Sequence, residues 1–314
     1  MKPLSDRALD RLRSAAEAPD LSGTRYRLVE KLGQGGMGSV YRVEDDLLGR
    51  QVALKVIAFA NGGDLEDRLL HEARVIAQLE HPGIVPVHDV GTLPDGSRFY
   101  TMKLVQGDRL DQHLPAVASV AERLRLFQRI CEPVAFAHAH GVLHRDLKPQ
   151  NIMVGPFGEV LVMDWGLSKL LSRQKISVAA RASSAGETQD GAVLGTPGYM
   201  APEQERGDVS GSDCRADVYS LGAILKFMLT DQPLPRSLAA IAAKCLEQEA
   251  GRRYSTAQEL SLDIGRYLDG MAVTAYPEGP VTKLWRWLVN NRAWLLLIAA
   301  YLVMRTLFIF WRAH

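Results

Sequence analysis

Between residues 26 and 57 apolar and polar positions are interleaved in three short runs, "YRLVEKLG", "SVYRVED" and "RQVALKVI", separated by glycine-containing turns. Strand-like composition with such turns predicts the start of an antiparallel sheet. From 64 to 80 the period changes: in "DLEDRLLHEARVIAQLE" the side chains Leu65, Leu69, Ala73, Ile76 and Leu79 share one helical face, and His81-Pro82-Gly83 ends the helix. Two further strands follow, "IVPVHDV" and "RFYTMKLV". After Gly107 the pattern is helical in "SVAERLRLFQRICEPVAFAHAH", "DVYSLGAILKFMLT", "SLAAIAAKCLEQ" and "STAQELSLDIGRYLDG", with the short strands "IMV" and "EVLVM" between the first two of these helices. Sheet first and helices after predict an α+β fold of two unlike lobes joined at 103–107. There is no internal repeat, and the one biased stretch, "SVAARASSAGETQDG" (177–191), is predicted to be a mobile loop.

Composition narrows the picture. At 314 residues, 47% hydrophobic and 23% charged, the chain is long enough for a globular unit of two lobes. A net charge of +1 argues against a nucleic-acid partner held by bulk electrostatics. Cys131, Cys214 and Cys245 are odd in number and far apart, so neither a disulfide framework nor a zinc site is expected, and a reducing compartment fits best. Residues 1–24 form a polar arm without the apolar core of a secretory signal. Residues 293–311, "AWLLLIAAYLVMRTLFIFW", hold one charge, Arg305, and at ~1.5 Å per residue would span about 28 Å. Lys283, Arg286 and Arg292 precede this segment, with Trp285, Trp287, Trp294 and Trp311 near its two ends. That bias predicts a single-pass membrane helix after a juxtamembrane segment (271–292), the larger N-terminal part being cytoplasmic. The uninterrupted run from Ala293 to Met304 is only twelve residues, so an interfacial or core-packed helix is the competing assignment.

The candidate chemistry lies in five stretches. In "HRDLKPQN" (144–151) an acid, a lysine and an asparagine share one polar loop, placed between a helix stopped at Gly141 and the strand "IMV". Asp164 follows in "MDWG", at the end of an apolar strand. Upstream, Gly33, Gly35 and Gly38 make G-x-G-x-x-G, with Gln34 and Gly36 inside it, and a strand follows rather than the helix a dinucleotide fold requires. Such a loop is a flap whose bare backbone approaches phosphates, and Val40 beyond it can cover a flat base. In "VALKVI" Lys55 is flanked by apolar residues and needs a partner if buried, for which Glu72 on the 64–80 helix is placed. The fifth stretch is "GTPGYMAPE" (195–203).

In this order and spacing the five stretches resemble the bacterial Ser/Thr protein kinases of eukaryotic type, over residues 25 to about 270. The resemblance implies a two-lobed kinase fold, an N-lobe of 25–105 and a C-lobe of 106–270, with ATP and Mg²⁺ as cofactors and protein Ser/Thr hydroxyls as substrates. It implies that Lys55 holds the α and β phosphates and pairs with Glu72, and that Asp146 orients the substrate hydroxyl. Lys148 would neutralise the moving phosphoryl, while Asn151 and Asp164 bind Mg²⁺. Met102 resembles the gatekeeper, Lys103 to Val105 the hinge, and Ala53 and Met153 the ceiling and floor of the adenine slot. Glu203 would pair with Arg253, Asp217 would hold the catalytic-loop backbone, and Trp165 would fill an apolar spine with Ile76, Val87 and His144. Arg145 would receive a phosphate from the loop before Glu203, most simply at Thr188, with a homodimer serving autophosphorylation. Thr196 resembles the threonine that bonds Asp146 and Lys148.

The sequence departs from the family pattern in two places. Trp165 stands where phenylalanine is usual, and the helix and long loop that normally follow "LTDQPLP" are missing, which puts substrate docking in question. The alternative function is a pseudokinase, a nucleotide-binding scaffold without transfer.

Overall fold

The computed structural model describes residues 18–35, 38–57, 75–165, 198–206, 213–277, 279, 287–288 and 291–313. Five strands, β1 (Tyr26–Gly35), β2 (Gly38–Asp45), β3 (Arg50–Ile57), β4 (Val87–Thr92) and β5 (Arg98–Lys103), form one antiparallel sheet in the order β1-β2-β3-β5-β4. The predicted "IVPVHDV" strand starts later than its apolar pattern, at Val87. Pro86 before it has no amide to give, though its carbonyl accepts from Lys103 N at 3.2 Å. The two-residue side-chain period splits the sheet: Val52 and Leu54 join Tyr26, Tyr41, Val43, Leu93 and Phe99 in a small core, while Ile57 and Tyr100 join the main core beneath.

The second lobe starts with β6 (Asp108–Arg109) and α1 (Leu110–His113), then α2 (Val120–Ala139). Ser119 caps α2, its hydroxyl accepting from Glu122 N at 3.4 Å, and Leu124, Phe127, Ile130, Cys131 and Val134 are fully buried along one helical face. Strands β7 (Ile152–Val154) and β8 (Val160–Val162) complete a three-stranded sheet with β6. Four helices follow, α3 (Pro202–Glu205), α4 (Cys214–Met228), α5 (Arg236–Cys245) and α6 (Ala257–Leu268). The lobes are tied by backbone: Val162 N donates to Gly83 O at 2.8 Å. An α+β fold of two unlike lobes is therefore what the chain adopts.

The shortened region joins α4 to α5 directly through residues 229–235. Two features close it. Buried Arg123 of α2 donates to Met228 O at 2.7 Å and to the Asp231 carboxylate, and α4 and α5 approach so closely that a Cβ added at Gly222 would collide with Cys245. Beyond α6, buried Asp263 fastens the chain that leaves the lobe, accepting from Thr274 N at 2.6 Å, Ala275 N at 3.1 Å and the Tyr254 hydroxyl at 2.7 Å. Burial pushes the Asp263 carboxyl up, but these donors outweigh it and hold it below the ordinary carboxylate range.

The last helix is α7 (Arg292–Ala313), 22 residues long. Among the described residues no helix is long and apolar enough to cross a membrane. The uninterrupted apolar run of α7 stops at Arg305, so the membrane span expected from the sequence is not shown.

The α4–α5 contact gives a stability test. Gly222→Ala should destabilise the C-lobe by about 1–3 kcal/mol through overpacking, read as a lowered thermal midpoint. An unchanged midpoint would mean that the helices separate freely.

Candidate active site

The catalytic-loop motif follows the end of α2, where Gly141 turns the chain with φ 75°. The loop has no ladder to pair with, and its amides are taken up by one side chain from α4. Asp217, 1% exposed, accepts from His144 N at 2.8 Å on one oxygen and from Arg145 N at 2.7 Å on the other, and bonds His138 Nε2 at 2.8 Å. Burial alone would raise its pKa; His138, His144 and the amides more than reverse this, so the carboxylate stays charged. Arg145 is held at φ 66°, a left-handed conformation that a non-glycine residue adopts only when its surroundings impose it.

Beyond this anchor Lys148 Nζ donates to Asp146 Oδ2 at 2.8 Å, and Asn151 Nδ2 donates to Asp146 O at 2.8 Å and to Oδ2 at 3.1 Å. The loop is joined to the Asp164 stretch through the backbone of one residue. Met163 N donates to Asn151 O at 2.8 Å, and Met163 O accepts from His144 Nε2 at 2.8 Å. That carbonyl can only accept, so the His144 proton is on Nε2, leaving Nδ1 to accept from Asp146 N at 3.3 Å. Burial lowers the His144 pKa, consistent with a neutral ring. Trp165, 3% exposed, lies against it with ring centroids 4.8 Å apart and donates from Nε1 to Val162 O at 2.9 Å.

The next residue after the clamped peptide, Asp164, has φ 58° and turns its carboxylate toward the N-lobe, where Lys55 Nζ meets Oδ1 at 2.6 Å. Lys55 is almost fully buried on β3. Burial works against its charge, but Tyr100 and Asp164 beside it prevail and hold it above the ordinary lysine range; Tyr100, buried in turn, is pushed up to about 12. A small apolar cavity beside this pair is lined by Ile76, Val85, Val87, Tyr100, Met102 and Trp165.

Of the other expected positions, Gly33, Gln34 and Gly35 end β1, and Gly38 and Val40 lie on β2, where Val40 faces Lys55 in register. Gly38 has φ 130° and a Cβ there would collide with the Val56 carbonyl, so this turn requires glycine. Ala53 pairs with Met102 across β3 and β5, Lys103 ends β5, Val105 follows it, and Met153 lies on β7. The structure brings Lys55, Asp164, Asn151, Asp146 and Lys148 into one hydrogen-bonded neighbourhood. Gly36, Glu72, Thr188 and Thr196 lie outside the described residues. Within the C-lobe Glu203 and Arg253 form a two-pronged ion pair at 2.7 and 2.8 Å, and Arg253 also donates to Glu247 O, Arg215 O and Gln248 O. Sequence reasoning missed His138 and Tyr100. His138 looks no different from His140 in "AHAHG" until Asp217 is seen opposite it, and Tyr100 reads as an ordinary strand aromatic.

A sheet lobe over a helical lobe, with a lysine–aspartate pair between them and an acid–lysine–asparagine loop below, is the layout of a protein kinase. The chain belongs to the protein kinase domain family, whose model matches residues 26–266. It is 34% identical over 297 residues to the serine/threonine-protein kinase PknD of Protochlamydia amoebophila, covering 78% of this chain and 30% of the relative. It is also 34% identical over 294 residues to PknD of Chlamydia felis, covering 78% of this chain and 31% of that one. Among solved structures it is similar to the PknI kinase domain of Mycobacterium tuberculosis, with TM-score 0.59 and 26% identity over 79% of this chain and 98% of that one. The chain spans about a third of the length of the curated relatives it matches.

Because His144 is buried and neutral, the unfolded chain binds a proton there before the folded one does. Stability should therefore fall as the pH drops through the ordinary histidine range, about 6.5. Buffers from pH 7.5 to 5 should show a declining thermal midpoint that is flatter in His144→Phe; equal slopes would contradict the assignment. His81 and His88 shift in the same direction, are less buried, and are common to both proteins.

Proposed function

We propose that this chain is an ATP-dependent Ser/Thr protein kinase that transfers the γ-phosphoryl of ATP to protein hydroxyls. The observation that carries this is the Met163 peptide. By bonding both Asn151 and His144 it fixes the Asp164 stretch against the loop that bears Asp146 and Lys148. Asn151 spends its amide nitrogen on Asp146, which leaves its oxygen as the group that would meet a metal, and Asp164 has a second oxygen beyond the one paired with Lys55. Two hard oxygen donors fit Mg²⁺, which takes one or two side chains and completes its shell with phosphates and water. Bound Mg²⁺ supplies charge to the phosphate oxygens.

The chain's own residues supply the rest. Lys55, kept charged in a buried place, holds phosphate oxygens. Asp146 accepts a hydrogen bond from the substrate hydroxyl and orients it, while Lys148, already bonded to Asp146, balances the charge that moves past it. Gly33, Gln34, Gly35, Gly36 and Gly38 cover the phosphates, and Val40, Ala53, Met102, Lys103, Val105 and Met153 line the base. Glu72 is the expected second partner of Lys55. Thr188 is the autophosphorylation site read by Arg145, reached in trans by a second copy, and Thr196 steadies Asp146 and Lys148. None of the loop positions is replaced by a residue unable to serve, which leaves the pseudokinase alternative without support.

With Mg²⁺ and labelled ATP, Lys55→Ala, Asp146→Asn and Asp164→Ala should each fall below about a tenth of wild-type transfer, since ~1.4 kcal/mol of barrier is tenfold. Products should carry phosphoserine and phosphothreonine, Thr188 among them by mass spectrometry. Full activity in any of the three variants, or phosphotyrosine as the main product, would refute the assignment.

A second part of the proposal is that residues 293–311 hold the kinase to the cell membrane, with the catalytic domain cytoplasmic. What supports it is that Trp294, Leu296, Leu297, Ile298, Tyr301, Leu302, Val303 and Met304 are all exposed, on successive sides of α7. A helix apolar all round with no water-facing stripe suits lipid, and Arg305 lies within snorkelling reach of the end at Arg312. Full-length protein should leave membranes only with detergent, and deletion of 293–314 should release it; extraction by carbonate would sink the idea.

A further inference from the structure

Lys55 has a neighbour on the cleft face of the sheet to which the transfer reaction assigns no part. β3 and β5 run antiparallel with Lys55 directly opposite Tyr100, so their side chains leave the same face with Cβ atoms roughly 5 Å apart. Both are buried, at 5% and 3% exposure, and Lys55 Nζ stands 6.0 Å from the centre of the Tyr100 ring. The cavity that Tyr100 lines offers its hydroxyl little else. Ile76, Val85, Val87 and Met102 are apolar, the Trp165 N–H is spent on Val162 O, and Asp164 already meets Lys55 at 2.6 Å. A phenylalanine would fill the same wall, whereas a buried tyrosine needs a partner for its hydroxyl. Burial raises the Tyr100 phenol, while the charge of Lys55 and hydrogen bonding with it act the other way.

We propose that Tyr100 is a positioning residue for Lys55, its hydroxyl accepting from the ammonium and steering it onto the nucleotide phosphates. The proposal rests on the kinase reading and adds a residue to its grip on the phosphates. An ammonium carries three protons and no acceptor, so a phenol oxygen can share it with a carboxylate and still leave a proton for phosphate. Carboxylates such as Asp164 and the expected Glu72 hold a lysine by neutralising it. A neutral phenol fixes its direction and leaves the charge to act on the phosphates. Asp164 is also the proposed metal ligand, whereas Tyr100 has no second task at the site.

The test is calorimetric binding of adenosine, ADP and a non-hydrolysable ATP analogue, with Mg²⁺, to the full chain as wild type, Tyr100→Phe, Lys55→Ala and the double variant. Phenylalanine keeps the ring, so adenosine should bind Tyr100→Phe as it binds the wild type. ADP and the ATP analogue should bind Tyr100→Phe roughly tenfold more weakly, with KM for ATP rising to match and KM for casein as acceptor unchanged. In the Lys55→Ala background Tyr100→Phe should have no further effect on nucleotide affinity, because nothing is left for the hydroxyl to hold. A residue that merely shapes the pocket would weaken adenosine and ADP alike, with or without Lys55. Either of those results, or equal ADP affinity in Tyr100→Phe and wild type, would overturn the proposal while leaving transfer by the wild type intact. Phosphate-dependent binding that is weakened in Tyr100→Phe, from a chain that transfers no phosphate, would uphold the role of Tyr100 and remove the kinase reading instead.

Discussion

The site depends on one buried carboxylate. Asp217 meets the amides of His144 and Arg145 with its two oxygens, and the oxygen that takes His144 N also bonds His138 Nε2. A loop in which a non-glycine residue takes a left-handed backbone would relax if left alone. Removing Asp217 would free that strain and leave two buried amides without acceptors. The direction in which Asp146 points is thus decided on a helix, α4, that never touches the reacting atoms.

From that anchor order is passed on by hydrogen bonds rather than by apolar packing. His144 keeps one tautomer because Met163 O can only accept, and the same peptide is bonded on its other side by Asn151. The loop that would carry the acid and the stretch that would carry the metal ligand therefore move as one body. Trp165, wider than the phenylalanine usual there, lies tilted at 53° against His144 and spends its indole N–H on Val162 O, which ties its own ring to the strand it follows. The Asp164 stretch is joined to the N-lobe sheet by a charge pair, Lys55 with Asp164, beside the backbone tie of Val162 to Gly83.

Much of this was legible in the sequence, because periodicity and glycine spacing report backbone demands directly. The apolar neighbours of Lys55 and the glycine spacing at Gly38 are local features. The pairing of Glu203 with Arg253 followed from the family pattern, but the three backbone carbonyls that share the guanidinium could not be read, since two lie after α5 and one on the first turn of α4, and only packing brings them together. His138 was hidden for a related reason: its role depends on a residue 79 positions away. The apolar composition of 293–311 was plain, but an apolar run states only what avoids water and not what replaces it.

The fastening of Thr274 and Ala275 to Asp263 fixes the point at which the chain leaves the catalytic domain. Fifteen residues lie between Tyr276 and Arg292, which fully drawn out reach at most roughly 55 Å. Were α7 seated on a membrane, as proposed, the active cleft would be leashed within a shell of that radius plus the width of a lobe. Inside such a shell a tethered substrate or a neighbouring copy meets the enzyme at an effective concentration set by geometry and not by expression level, so crowding of anchors, rather than affinity, would govern how often two domains collide.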